Sequence, residues 1–260
     1  MPEYELNIKN NYKIADNVYR MDFHLSERVE YIQCGQFLNL SLGRAELLLR
    51  RPFGITCYDE ANKIISICYQ TVGKGTDIMR GMKAGQVLTA TLPLGNGFIL
   101  PEEYKTVALI GGGAGIFPLR ALPLTYPDKK YYSFLGFRTV SNICLNQDFE
   151  SFSETKIVTD DGSNGVKGNA LNAFFQSCNS IKPDVILACG PTAMLKALKA
   201  GLEQSNSVIP AFVSLEERMG CGVGACLACS CRLKNVDGEI NNARVCRDGP
   251  VFSIREVLFD

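Results

Sequence analysis

The chain has 260 residues, 46% of them hydrophobic and 21% charged, with 27 basic side chains against 27 acidic. That length suggests more than one domain, zero net charge without a basic block argues against nucleic acid as the main partner, and no apolar run reaches the roughly 18 residues that span a bilayer. The opening MPEYELNIKN has no apolar leader, so the expected setting is a reducing cytosol, and the expected localisation cytoplasmic.

Residues 1–100 carry short alternating or β-rich runs, YELNIKNNYKI, VYRMDFHL, FLNLSL and IISICYQTV, separated by polar or glycine-containing turns. This pattern predicts an antiparallel β-barrel. The single histidine, His24, falls in VYRMDFHL and reads as a strand residue, which leaves Ser-His-Asp or His-metal chemistry little to work with. From Tyr104 the texture becomes strand, glycine loop, helix: TVALIGGGAGIFPLRALPL, then YYSFLGF, TKIVTD, NALNAFFQSC, DVILACG and PTAMLKALKAGLEQ. Such alternation predicts a doubly wound α/β domain over 101–210.

Gly111, Gly112, Gly113 and Gly115, with Ala114 among them, follow the apolar strand VALI and lead into a helical pattern, so their N–H groups can face a pyrophosphate. Ile116 stands where the last glycine of G-x-G-x-x-G would be. A second strand end, Cys189-Gly190-Pro191, repeats the arrangement. Each loop alone reads equally as a tight turn without a ligand; together they favour nucleotide binding.

Residues 211–260 form a third unit holding five of the eleven cysteines. Cys221, Cys226 and Cys229 are spaced C-x4-C-x2-C and Cys246 follows, the plant-type ligand order of a [2Fe–2S] cluster. Gly222 and Gly224 permit the tight loop that such a cluster needs. Structural zinc commonly takes two separated two-cysteine knuckles, and only Cys226 and Cys229 form one, so the cluster is favoured. Cys231 reads as a bystander, and Cys34, Cys57, Cys68, Cys144, Cys178 and Cys189 mostly as packed thiols.

Arg51-Pro52-Phe53-Gly54, Gly73-Lys74-Gly75-Thr76, PLGNGF at 93–98, IGGGAGIFPL and ACGPTAML together resemble the ferredoxin–NADP reductase superfamily. FLGFRT, TDDGSNGVKG, LEERMGCGVGACLACSC and VCRDGPVF narrow the resemblance to electron-transfer subunits of type B, NAD-dependent dihydroorotate dehydrogenases, essentially end to end. The resemblance implies an FAD barrel over 1–100, an NAD domain over 101–210 and a [2Fe–2S] domain over 211–260. It implies that Arg51 contacts the flavin pyrophosphate, that Pro52 binds FAD beside it, that Phe53 lies at the isoalloxazine and Gly54 near its N5, that Gly75 and Thr76 make a second phosphate contact, and that Cys68, Tyr69 and Gln70 line the ribityl and adenine region. A cation suits phosphate and a flat apolar face suits a flat ring. The competing reading of Arg50 and Arg51 is a solvated basic pair. Gly54 departs from the superfamily, which often has Ser or Thr there, and leaves hydrogen bonding at the flavin N5 open. NAD is implied at Gly111, Gly112, Gly113, Gly115, Cys189, Gly190 and Pro191, and the cluster at Cys221, Cys226, Cys229 and Cys246.

The implied activity is a wire: dihydroorotate is oxidised at FMN in a separate catalytic subunit, in a two-plus-two heterotetramer, and electrons pass through cluster and FAD to NAD+ in pyrimidine biosynthesis. No catalytic side chain is demanded, because the cofactors supply the reactivity. Two alternatives stay open: a reductase subunit of the same architecture serving ferredoxin, a sulfide-type reaction or an oxygenase, and a zinc-stabilised interaction module. Arg138 could attract a 2′-phosphate, so NAD over NADP rests on the resemblance. Asp160 and Asp161 either touch the dinucleotide or cap the turn at DDGSNG.

Overall fold

A computed structural model describes residues 2–259. Six antiparallel strands, β1 (Glu3–Ala15), β2 (Val18–Leu25), β3 (Phe37–Ser41), β4 (Arg51–Asp59), β5 (Ile64–Gln70) and β6 (Val87–Leu94), close a barrel in the order β1-β2-β5-β4-β3-β6. Alternation drives it: in β6, Leu88, Ala90, Leu92 and Leu94 are buried while the residues between them are not. Leu6, Ile8, Met21, Phe23, Leu38, Leu40, Ile65 and Ile67 fill the interior with Leu88, Ala90 and Leu92. Helix α1 (Lys74–Arg80) adds Met79 to that core. The Thr76 hydroxyl accepts from the N–H of Val72 at 2.9 Å and of Gly73 at 3.2 Å, and donates to the Gly73 carbonyl at 2.9 Å, fixing the entry to the helix.

The next stretch alternates β7 (Thr106–Gly112), α2 (Ile116–Leu119), α3 (Leu122–Thr125), β8 (Lys130–Phe137), α4 (Asn146–Phe152), β9 (Ser153–Thr159), β10 (Val166–Lys167), α5 (Ala170–Ile181), β11 (Val185–Cys189), α6 (Thr192–Gln204) and β12 (Ala211–Ser214). The strands run parallel in the order β10-β9-β8-β7-β11-β12. β11 is buried along its whole length, as expected of a parallel strand covered on both faces. The helix expected after the glycine loop breaks into the two short turns α2 and α3. Pro123 at the start of α3 has no N–H to carry a continuous ladder past Arg120 and Ala121.

The cysteine segment supplies β13 (Ser230–Lys234), β14 (Ile240–Arg244), β15 (Val251–Ser253) and β16 (Val257–Leu258). β14-β13-β16 form a small antiparallel sheet, whereas β15 adds antiparallel to β12 at the edge of the large sheet. Three apolar clusters result. One fills the barrel, a second joins the barrel residues Val18, Cys68 and Phe98 to one face of the large sheet, and the third joins its other face to Val245, Phe252, Ile254 and Val257. The units are therefore packed on shared cores.

Candidate functional site

The cysteines are brought together by a hairpin and a loop. β13 and β14 pair Ser230 with Arg244, which places Cys229, just before one strand, beside Cys246, just after the other. Val245 N–H donates to the Cys229 carbonyl at 3.0 Å, and Cys246 N–H to its sulfur at 3.4 Å. The loop 220–228 turns through Gly222 and Gly224, both at positive φ, and through Leu227 at φ 60°, an uncommon conformation for that residue. That turn aims backbone N–H groups inward. Cys221 sulfur accepts from Val223 at 3.4 Å, Ala225 at 3.3 Å and Cys226 at 3.4 Å; Cys226 sulfur accepts from Cys221 at 3.4 Å, and Cys246 sulfur from Gly224 at 3.1 Å.

Burial alone would raise the Cys221 thiol, but these N–H groups outweigh it and bring it to about 6. Burial, reinforced by the adjoining Cys229 thiol, pushes Cys246 up to about 12. The Cys226 thiol also interacts with that of Cys221, and both Cys229 and Cys221 act on that of Cys246. Among the described residues no three His, Cys, Asp or Glu groups gather to hold one metal ion. Four thiols ringed by backbone N–H donors suit a two-iron, four-cysteine cluster. Cys231 lies on β13 and packs against the shared core, its thiol pushed to about 11 by burial, and none of these N–H groups addresses it. Of the other cysteines, Cys34, Cys68, Cys144 and Cys189 are buried, and Cys57 and Cys178 partly so.

Beside this segment lies a cleft of about 390 Å3 between the barrel and the large sheet. Pro52, Phe53 and Gly54 of β4, Cys68, Tyr69 and Gln70 of β5, and Thr76 of α1 form one wall; Pro118, Cys189, Met219 and Pro250 face them. The Phe53 and Tyr69 rings are tilted against each other at 5.9 Å, and the Tyr69 hydroxyl is anchored to Asn11 Oδ1 at 3.0 Å. The result is a slot with an aromatic pair on one wall, of a kind that takes a flat ring. The Arg51 guanidinium lies against Gly75 at the first turn of α1 and donates to the carbonyls of Leu49 at 2.5 Å and Leu47 at 3.4 Å. Arg50 instead pairs with Glu3 across the barrel.

A second cleft, of about 550 Å3, opens beyond the carboxyl ends of β7, β8 and β11, where the chain order of the parallel strands reverses. Gly112, Gly113, Gly115, Gly190 and Pro191 line it with Phe137 and Arg138. Its two loops touch backbone to backbone. A Cβ on Gly115 would stand 2.1 Å from the Cys189 carbonyl oxygen, so only glycine fits there.

The clefts share Gln70, Val72, Ala114, Phe117 and Glu216 and therefore adjoin. Cys189 lines the first cleft, and Gly111 is buried behind the second. Asp161 accepts from the Ser163 N–H at 2.9 Å and hydroxyl at 2.6 Å; it caps its own turn, and neither it nor Asp160 lines the cleft. Glu216 went unpredicted, although it stands at the junction and burial raises its carboxyl above the usual range. Only its place in LEERM, just ahead of the first cysteine, hinted at it.

Residues 216–258 match the family model of the iron-sulfur cluster binding domain of dihydroorotate dehydrogenase B. The chain is 38% identical over 263 residues to the dihydroorotate dehydrogenase B (NAD(+)) electron transfer subunit of Bacillus velezensis, covering 99% of each chain. It is 38% identical over 252 residues to that of Caldanaerobacter subterraneus subsp. tengcongensis, covering 97% of each. Among solved structures, a chain of the NADH-dependent reduced ferredoxin-NADP oxidoreductase studied for flavin-based electron bifurcation aligns with a TM-score of 0.87 and 29% identity, over 98% of this chain and 90% of that one.

Proposed function

We propose a function from the premise that its relatives establish: the chain belongs to the family of electron transfer subunits of dihydroorotate dehydrogenase B (NAD(+)). It is an NAD-linked flavin and iron–sulfur oxidoreductase subunit that works with a catalytic partner in pyrimidine biosynthesis. When bound, FAD supplies the exchange between the hydride chemistry of a nicotinamide and the one-electron chemistry of a [2Fe–2S] cluster.

Each group has its residues. Cys221 with Cys226 and Cys229 with Cys246 hold the cluster, and the N–H groups of Val223, Gly224 and Ala225 stabilise charge on its sulfurs. Arg51, Gly75 and Thr76 take the flavin phosphates, Pro52, Phe53 and Gly54 orient the ring, and Cys68, Tyr69 and Gln70 line the remainder. Gly111, Gly112, Gly113, Gly115, Gly190 and Pro191 form the loops that receive NAD, with Cys189 on the flavin side of the junction. Residues 1–100, 101–210 and 211–260 act as the FAD, NAD and cluster units. The partner is an FMN-containing catalytic subunit, the assembly a two-plus-two heterotetramer, and thiolate ligation of this kind belongs in the reducing cytoplasm.

The observation that carries the reading is adjacency. The nucleotide cleft adjoins the flavin cleft along five shared residues, and Met219 and Pro250 lead from the flavin cleft to the two cysteine-bearing loops. Purification of this chain with a tagged catalytic subunit tests it. The expected result is co-elution at equal stoichiometry with flavin and iron–sulfur absorbance; elution as a colourless, zinc-containing protein would contradict it.

A further inference from the structure

We infer that Asn39 and Asn96, two side chains of the barrel unit, clamp the two cysteine-bearing loops against the flavin cleft and so set the position and potential of the cluster. The inference rests on the functional reading above. Asn39 lies on β3, paired with Pro52 of β4 on one side and Thr91 of β6 on the other, and is fully buried. Its Nδ2 donates to the carbonyl of Cys221 at 3.3 Å. The same amide packs on Gly222, where a Cβ would stand 2.5 Å from Nδ2.

Asn39 Oδ1 is buried without a hydrogen-bond partner. A half-satisfied amide costs stability in a barrel wall that a leucine would fill without loss. Its presence is explained by what the other half does: it ties the strand beside Pro52 to the first cysteine.

Asn96 grips the other loop. It follows β6, and its Nδ2 donates to the carbonyls of Arg247 and Asp248, both at 3.1 Å, directly after Cys246. Its backbone N–H donates to the Gly249 carbonyl at 2.6 Å, and a bridge to Pro250 completes the contact. One asparagine thus holds the loop of the first ligand and the other the loop of the last. Neither touches a reacting atom, so both are positioning residues. Their leverage is through the N–H groups aimed at the sulfurs, which stabilise the negative charge that reduction adds and lengthen if the loops drift.

The test uses the full chain loaded with flavin and cluster. Asn39→Leu keeps the branched outline, with larger methyl groups, and removes the amide; Asn96→Ala removes the side-chain bonds and keeps the backbone bond to Gly249. Each variant should retain stoichiometric flavin, lose iron to a chelator about fivefold faster, as the loss of one ordinary hydrogen bond implies, and show a lower cluster midpoint potential with a changed electron paramagnetic resonance spectrum. Wild-type iron loss and potential in both variants would overturn the clamp. If Asn39→Leu fails to fold, the exposed Asn96 decides alone by the same two readouts. A wild-type chain that binds neither iron nor flavin would refute the functional reading itself.

Discussion

The cysteine loop and the paired clefts are built in opposite ways. The loop draws three of its four thiols from nine consecutive residues and surrounds them with its own N–H groups, so its chemistry is written in local spacing. The clefts draw their walls from β4, β5, α1, the glycine loop, the end of β11 and the stretch 214–219, each supplying a few residues. Damage to the first should therefore be all or none, and damage to the second graded.

The sharpest break in that comparison comes from the thiols. Replacing Cys221, Cys226, Cys229 or Cys246 with Ser should abolish the iron–sulfur absorbance, whereas Cys231→Ser should keep full iron, as measured by iron analysis of the purified protein. Equal loss in Cys231→Ser would sink the ligand set described here. A smaller but still large effect is expected at Arg51. Arg51→Ala removes a charge-assisted phosphate contact worth about 1.5–3 kcal/mol, which predicts roughly ten- to a hundred-fold weaker FAD retention on dilution, with the cluster intact.

Gly115→Ala should come next. Its Cβ would meet backbone rather than a movable side chain, so the two loops must part, at about 1–3 kcal/mol. Weaker NADH binding by titration, with flavin and iron both retained, is the expected result.

The smallest effect concerns the barrel alone. Burial would raise the Asp22 carboxyl, but Ser66 at 2.6 Å, Arg20 at 2.8 Å and Asn10 at 3.3 Å hold it below its ordinary 3.8. A folded value below the unfolded one means that this stabilisation is fully present above about pH 4 and is lost as the pH falls through the lower folded value. Asp22→Asn should flatten the acid limb of the stability curve, read by denaturant midpoints between pH 5 and pH 2, and leave the neutral cluster spectrum unchanged.

The same contrast explains what could be read from the chain alone. Alternation in VYRMDFHL is a local record of a half-buried strand, and a glycine loop after VALI is a local record of a strand-to-helix turn, so barrel and α/β sheet were both legible. The gathering of Cys221, Cys226, Cys229 and Cys246 was legible for the same reason. Glu216 was not, because its role depends on the end of β12 meeting Gln70 and Ala114, far apart in sequence. Nor was β15 as an edge strand of the large sheet, since VFS is too short to carry a periodic signal. Asn39 and Asn96 were invisible too: their importance lies in backbone carbonyls 182 and 151 residues away for Cys221 and Arg247 respectively.

The central claim is that this chain moves electrons and leaves substrate oxidation to its partner. Dihydroorotate-dependent reduction of NAD+, followed at 340 nm with the purified chain, the catalytic subunit and their mixture, tests it most directly. NAD+ reduction is expected from the mixture only, while the isolated chain reduces artificial dyes with NADH. Dihydroorotate oxidation by this chain alone, or no NAD+ reduction by the mixture, would contradict it.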